Sequence, residues 1–138
     1  MTAAEVVAAR ALALVGTRFR PQGRRPEHGL DCLGLAAVAA DLPLQSVPAD
    51  YALRAPVPAE LLSVEFGGRL KRISPEEAVA GDVLLVLAGT RQNHFLVLVE
   101  GGFVHADARL GKVVETPGEV PWPVLAVCLF LPLLLPIM

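Results

Sequence analysis

Three residues in this sequence have the types and settings that nucleophilic catalysis needs: Cys32, His94 and His105. Cys32 stands in Gly29-Leu30-Asp31-Cys32-Leu33-Gly34-Leu35, ahead of an apolar run. The pattern predicts the first turn of a helix capped by Asp31. A helix N-terminus offers unpaired backbone N–H groups and a partial positive charge. Both stabilise a thiolate and can lower the cysteine pKa, and the same N–H groups can help hold a tetrahedral oxyanion. Alone, a cysteine in such a place is more often a small buried hydrophobe. His94 shifts that balance. It opens an apolar run to Val99 after the polar Thr90-Arg91-Gln92-Asn93. From the mouth of a strand, a histidine can reach a helix N-terminus, take a thiol proton and return it to a leaving amine. Without a partner it is a surface histidine. His105, in Phe103-Val104-His105-Ala106-Asp107, is a candidate third group that would fix the His94 tautomer.

The elements that must position these residues change character halfway along the chain. Thr2 and Glu5 form a Thr-x-x-Glu capping box before an Ala/Val/Leu-rich helix reaching Val15, and Gly16 is a natural terminator. Thr17 to Gly29 reads as a long polar loop, followed by the Asp31-capped helix. Leu42 to Pro58 holds four prolines and reads as irregular, with a short helix over Ala59 to Val64. Ser74, Pro75 and Glu77 mark another helical turn, ended by Gly81. Strands are then expected at Val83–Leu87, Phe95–Val99, Phe103–Ala106, Val113–Glu115 and Val124–Leu131. Helices first and strands afterwards imply a single α+β domain over residues 1–138, with the helices packed on an antiparallel sheet. An even hairpin through Glu100-Gly101-Gly102-Phe103 puts His94 and His105 on one face. With a two-residue turn at its centre, however, His94 opposes Arg109 and His105 opposes Leu98. Contact between the two histidines therefore requires a bulge or a shifted turn.

Composition narrows the function classes. Hydrophobic residues make up 54% of the chain and charged residues 19%, enough for a sizeable core, and the net charge of −2 gives no bulk case for nucleic-acid binding. Arg18, Arg20, Arg24 and Arg25 cluster just before Cys32. They form either a solvated loop or a local positive field beside the site, where Arg18 and Arg20 could meet substrate carboxylates. Two cysteines make no disulfide framework, although a Cys32–Cys128 bridge stays open and would remove the nucleophile. His28 reads as a loop residue. No His/Cys pair has short metal-site spacing, so neither a metal nor a cofactor is expected. No basic n-region precedes an apolar core at the N-terminus, so cytoplasmic synthesis without a signal peptide is the expectation. Pro121, Pro123, Pro132 and Pro136 break the apolar C-terminal stretch, which argues against membrane insertion. The tail from Leu133 to Met138 is expected to pack on the domain, on a second copy or on a particle partner.

Taken together and in order, these segments resemble the NlpC-type cell-wall cysteine endopeptidases. Val15 to Leu35 looks like that family's stretch from Gly and an aromatic through a glycine-containing loop to Asp-Cys-x-Gly-Leu. Gly81-Asp82-Val83 looks like its Gly-Asp-hydrophobic element, and His94 and Phe103-Val104-His105-Ala106 match its catalytic histidine and downstream polar partner. The resemblance implies a papain-like fold and a Cys32-His94-His105 triad that hydrolyses amide bonds in peptidoglycan stem peptides, commonly D-γ-glutamyl–diaminopimelate. Action at the cell wall would follow delivery by a phage-like particle or lysis. Asp31-Cys32-Leu33-Gly34 is most similar to the phage-tail and gene-transfer-agent subgroup. The family usually has Tyr where this chain has Phe19, and often Ser where it has Leu33. Those positions, with Asp31, help recognise the free amino end of the stem peptide in well-studied members. Asp31, Phe19 and Arg20 are therefore the substrate-binding candidates, with helix capping the other role for Asp31. The second reading is a catalytically weak or inactive structural or binding module of a phage-like particle. Acyl transfer on the same thiol is a third.

Overall fold

The computed structural model describes residues 2–41, 70–88 and 92–130. Helix α1 spans Ala3–Ala13, and both halves of its capping box are formed: Glu5 N–H donates to Thr2 Oγ1 at 3.0 Å, and Thr2 N–H donates to a Glu5 carboxylate oxygen at 3.2 Å. The expected loop from Thr17 to Gly29 contains a two-residue ribbon, β1 (Arg24–Arg25) paired with β2 (Gly29–Leu30). Helix α2 is Cys32–Ala39, capped by Asp31 as the sequence predicts. Its eight residues carry no charge, and all but Val38 are buried, which is the pattern of a helix enclosed on every side. It ends where Asp41 takes φ 55°, a left-handed conformation that Asp tolerates better than most side chains.

Strand β3, Leu70–Ile73, was not expected from sequence. A 3-10 turn at Pro75–Glu77 follows, then β4 (Val83–Leu87), β5 (Asn93–Val99), β6 (Gly102–Asp107), β7 (Lys112–Pro117) and β8 (Val124–Phe130). The six long strands form one antiparallel sheet in the order β3-β8-β4-β5-β6-β7. The irregular stretch expected from Leu42 to Pro58, the short helix over Ala59 to Val64 and the apolar tail from Leu133 lie outside the described residues.

Strand alternation divides the core. Val83, Leu85, Phe95, Val97, Val99, Val104 and Ala106 face the helices, where they pack with Val7, Ala11, Leu35 and Ala36. Leu84, Val86, Leu96, Phe103 and Val127 form a second cluster on the other face. Two glycines set how closely the helices approach. At Gly81, φ is 99° and a Cβ would stand 1.9 Å from the Ala4 carbonyl oxygen in the first turn of α1. At Gly34, a Cβ would stand 2.0 Å from the Gly23 carbonyl oxygen, so the start of α2 lies flat against the preceding loop.

Candidate active site

The β5–β6 turn holds the first determinant of the site. The pairing runs Val99↔Gly102, Leu98↔Phe103 and Val97↔Val104. The loop is therefore Glu100-Gly101, one residue earlier than the simple centring that would set His94 against Arg109, and Gly101 supplies the φ of 79°. That register slides His105 toward His94, and His94 Nε2 lies 2.9 Å from His105 Nδ1. The shifted turn anticipated as a condition for contact is what is found.

Past Val97 and Val104 the two strands part. The rest of β5 continues on β4 (Val86↔His94, Leu87↔Asn93), while β6 continues on β7 (Ala106↔Val113, Asp107↔Lys112). The gap matters because the alternation otherwise puts the histidines on the side of Leu96 and Phe103, away from α2. Through this opening Cys32, at the start of α2, shares with both histidines a cleft of about 420 Å3. The Cys32 sulfur is hydrogen-bonded by backbone groups of Phe95, the residue after His94, and of Leu33. Backbone groups thus hold the thiol, and His94 Nε2 and His105 Nδ1 share one hydrogen bond. Cys32 and Cys128 are separate buried thiols, so the bridge left open by the sequence is not formed.

At Cys32 burial competes with the helix terminus. Cys32 is 3% exposed, and burial pushes its thiol up to about 12; Asp31 acts in the same direction. Hydrogen bonds from Phe95 and Leu33 and the Arg24 charge oppose this but do not win. The favourable helix N-terminus is real, but desolvation outweighs it. Burial also lowers His94, to about 4, with His105 adding to the shift and the Asp107 charge opposing it. His105 is lowered by the same desolvation. The resting site at neutral pH is a thiol beside uncharged imidazoles.

The remaining candidates separate. Phe19 is brought to the cleft because its N–H donates to the Gly111 carbonyl at 2.8 Å while Leu30 N–H holds the Arg18 carbonyl at 2.9 Å. Arg20, one residue on, lines a different hollow. Asp31 borders the cleft, but its carboxylate is already engaged. Oδ1 accepts from Gly34 N–H at 2.8 Å and from Arg24 Nη1 at 2.7 Å, and Oδ2 accepts from Gln22 N–H at 3.0 Å. It caps α2 and ties the loop to it. His28 lies outside the cleft, in the Arg20 hollow. Sequence reasoning missed Trp122. Its indole stands edge-on to His94 and to His105, with ring centroids 5.5 Å away in both cases, and 5.8 Å from Phe103. It forms a wall of the cleft against both imidazoles. The only signal was a lone tryptophan between Pro121 and Pro123, in a stretch that reads simply as apolar.

Comparison with protein-family models gives no match, and comparison with curated proteins gives none either. Solved structures do match. The peptidoglycan hydrolase RipB from Mycobacterium tuberculosis superposes with a TM-score of 0.59 at 19% identity, over 94% of this chain and 65% of that one. The NlpC/p60 domain of the peptidoglycan hydrolase SagA gives 0.58 at 19% identity, over 83% of this chain and 88% of that one. The chain has the NlpC/P60 papain-like fold. A third relative in structure, RipD from Mycobacterium tuberculosis, is described as a non-catalytic NlpC/p60 domain protein adapted to peptidoglycan binding; it gives 0.57 at 16% identity, over 97% of this chain and 99% of that one. This chain spans slightly under two thirds of the RipB chain. The fold is thus common to proteins that cleave peptidoglycan and to one that does not.

Proposed function

We propose that this NlpC/P60 domain is a cysteine endopeptidase that hydrolyses amide bonds in peptidoglycan stem peptides, with Cys32 as nucleophile, His94 as base and His105 as the orienting group. The observation that carries the reading is the cleft that Cys32 shares with a hydrogen-bonded His94–His105 pair. With the His94 proton on Nε2, that atom donates to Nδ1 of His105, and Nδ1 of His94 is left as the proton acceptor. As the sulfur attacks the amide carbon, its proton passes to His94. The first turn of α2 holds the oxyanion, where the Asp31 cap occupies Gly34 N–H and leaves the N–H of Cys32. Collapse breaks the C–N bond, and the leaving amine takes the proton from His94. Water, deprotonated by His94, then resolves the thioester and releases Cys32 as the thiol.

Wall delivery by a phage-like particle or by lysis belongs to this reading, as does the phage-tail subgroup, which rests on Asp31-Cys32-Leu33-Gly34. The test is mass spectrometry of defined muropeptides. Wild type should release stem-peptide fragments and Cys32→Ala should not. His105→Ala should lose tens- to thousands-fold in turnover while keeping its fold, because a carbonyl or water replaces only part of a tautomer-fixing role. Fragments released equally by Cys32→Ala would end the thiol mechanism. The second reading, a peptidoglycan-binding module without turnover, is favoured by the shared fold with RipD and by a thiol held protonated at neutral pH. Muropeptide binding without any fragment release would establish it.

A further inference from the structure

A second hollow, of about 320 Å3, is lined by Arg20, Gln22, Gly23, Arg24, Arg25 and His28 together with Pro21. No carboxylate lines it. It is shaped by a turn in which Gly23 N–H donates to the Arg20 carbonyl at 2.9 Å, with Pro21 and Gln22 in the corner. Gln22 is held at φ 60°, a conformation that costs a glutamine of order 1–3 kcal/mol and is retained here by its N–H bond to Asp31. Gly23 completes the shape: a Cβ there would stand 2.2 Å from the Gly29 carbonyl oxygen. Arg24 is committed to Asp31 and to the Gly23 carbonyl. Among the described residues Arg20 and Arg25 form no ion pair, and both are exposed at the rim, with His28 beside them.

The two concavities adjoin through neighbouring residues. Phe19 lines the cleft and Arg20 the hollow; Asp31 lines the cleft, and its partner Arg24 the hollow. We infer that the hollow is a subsite for a carboxylate carried by the substrate on one side of the scissile amide, gripped by Arg20 and Arg25. Guanidinium forks match carboxylate geometry bidentately, and two of them facing a concavity without acidic residues select an anionic arm over a neutral one. This rests on the hydrolase reading for the identity of the substrate, and it assigns Arg20 to a site other than the cleft.

The experiment compares two stem peptides that differ only in whether the carboxyl group next to the cleaved bond is free or a carboxamide. Wild type should prefer the carboxylate form in kcat/KM, and Arg20→Gln/Arg25→Gln should reduce that preference about tenfold, mainly through KM. Equal preference in wild type and in the double variant would overturn the subsite while leaving the hydrolase intact. A second measurement stands apart from turnover. Inorganic phosphate titrated into Cys32→Ala should shift the backbone amides of Gly23, Arg25 and Gly29 in a two-dimensional NMR spectrum, and the added Arg20→Gln/Arg25→Gln change should remove those shifts. If wild type cleaves neither peptide, the hydrolase reading fails and this titration decides the hollow alone. Shifts confined to it support an anion site; absent or scattered shifts refute one.

Discussion

Alkylation of Cys32 as a function of pH tests the electrostatics of the site without any substrate. An ordinary cysteine with a pKa near 8.5 is roughly 3% thiolate at pH 7, whereas a thiol at about 12 is thiolate in about one molecule in 10^5. That ratio alone slows reaction about 3,000-fold. A more basic thiolate is also more nucleophilic, and a Brønsted coefficient of about 0.4–0.5 across the difference returns roughly 30-fold. Iodoacetamide should therefore modify Cys32 about 100-fold more slowly than free cysteine at pH 7. Peptide mapping by mass spectrometry separates Cys32 from Cys128. Limited access lowers the rate further but leaves its pH slope unchanged, so the slope decides. It should rise nearly tenfold per pH unit from pH 6 to pH 10 without a plateau. A plateau with an inflection below pH 7 would show a resting thiolate–imidazolium pair and refute the claim that burial dominates.

Acid should weaken the fold. His94 is held at about 4 against 6.5 for a free imidazole, so the unfolded chain binds more protons between those values. Stability is full above about pH 6.5 and is lost as pH falls toward 4, by up to about 3 kcal/mol from this group, with His105 acting in the same direction. Urea melts at pH 7, 5.5 and 4.5 measure this, and a flat profile would contradict it. Asp31→Ala removes a helix cap worth about 1 kcal/mol and leaves the Arg24 guanidinium without its carboxylate. We expect about 3 kcal/mol of destabilisation in the same assay, with Asp31→Asn recovering the cap part, and a loss below about 1 kcal/mol would mean that the ion pair contributes nothing. Trp122→Ala opens the histidine pair to water. The His94 pKa should climb from about 4 toward 6.5 in an NMR titration, with turnover falling, and an unmoved titration would remove Trp122 from the positioning role.

Signals carried by a few neighbouring residues were legible in the sequence. The Thr2–Glu5 box, the Asp31 cap and β4 at Val83–Leu87 all form where the pattern puts them. What was hidden depends on distant chain. Strand β3 contains Lys71 and Arg72, which mask any apolar alternation, and it exists through pairing with β8. The β1–β2 ribbon is two residues long on each side, and glycine contacts shape the loop around it. For the site, parity placed His94 and His105 on one face, but contact was decided by where the turn closes, and Gly101 closes it one residue early. The electrostatics of Cys32 divide in the same way: the helix terminus is local and visible in sequence, whereas burial of the thiol, which raises its pKa, depends on the tertiary packing.

The charge state of the site constrains its chemistry. Burial raises the Cys32 thiol and lowers the His94 imidazole, so desolvation opposes a resting thiolate–imidazolium pair, and attraction between the two charges returns part of that cost. In the proposed hydrolysis the thiol proton is therefore expected to move as the sulfur attacks, with an oxyanion at the start of α2 offsetting the charge as it appears. Such a site relies on the placement of its base more than on a reactive resting thiolate. The parted strands β5 and β6 leave a cleft that Cys32 shares with both histidines, where His105 is hydrogen-bonded to His94 and Trp122 stands edge-on to both rings.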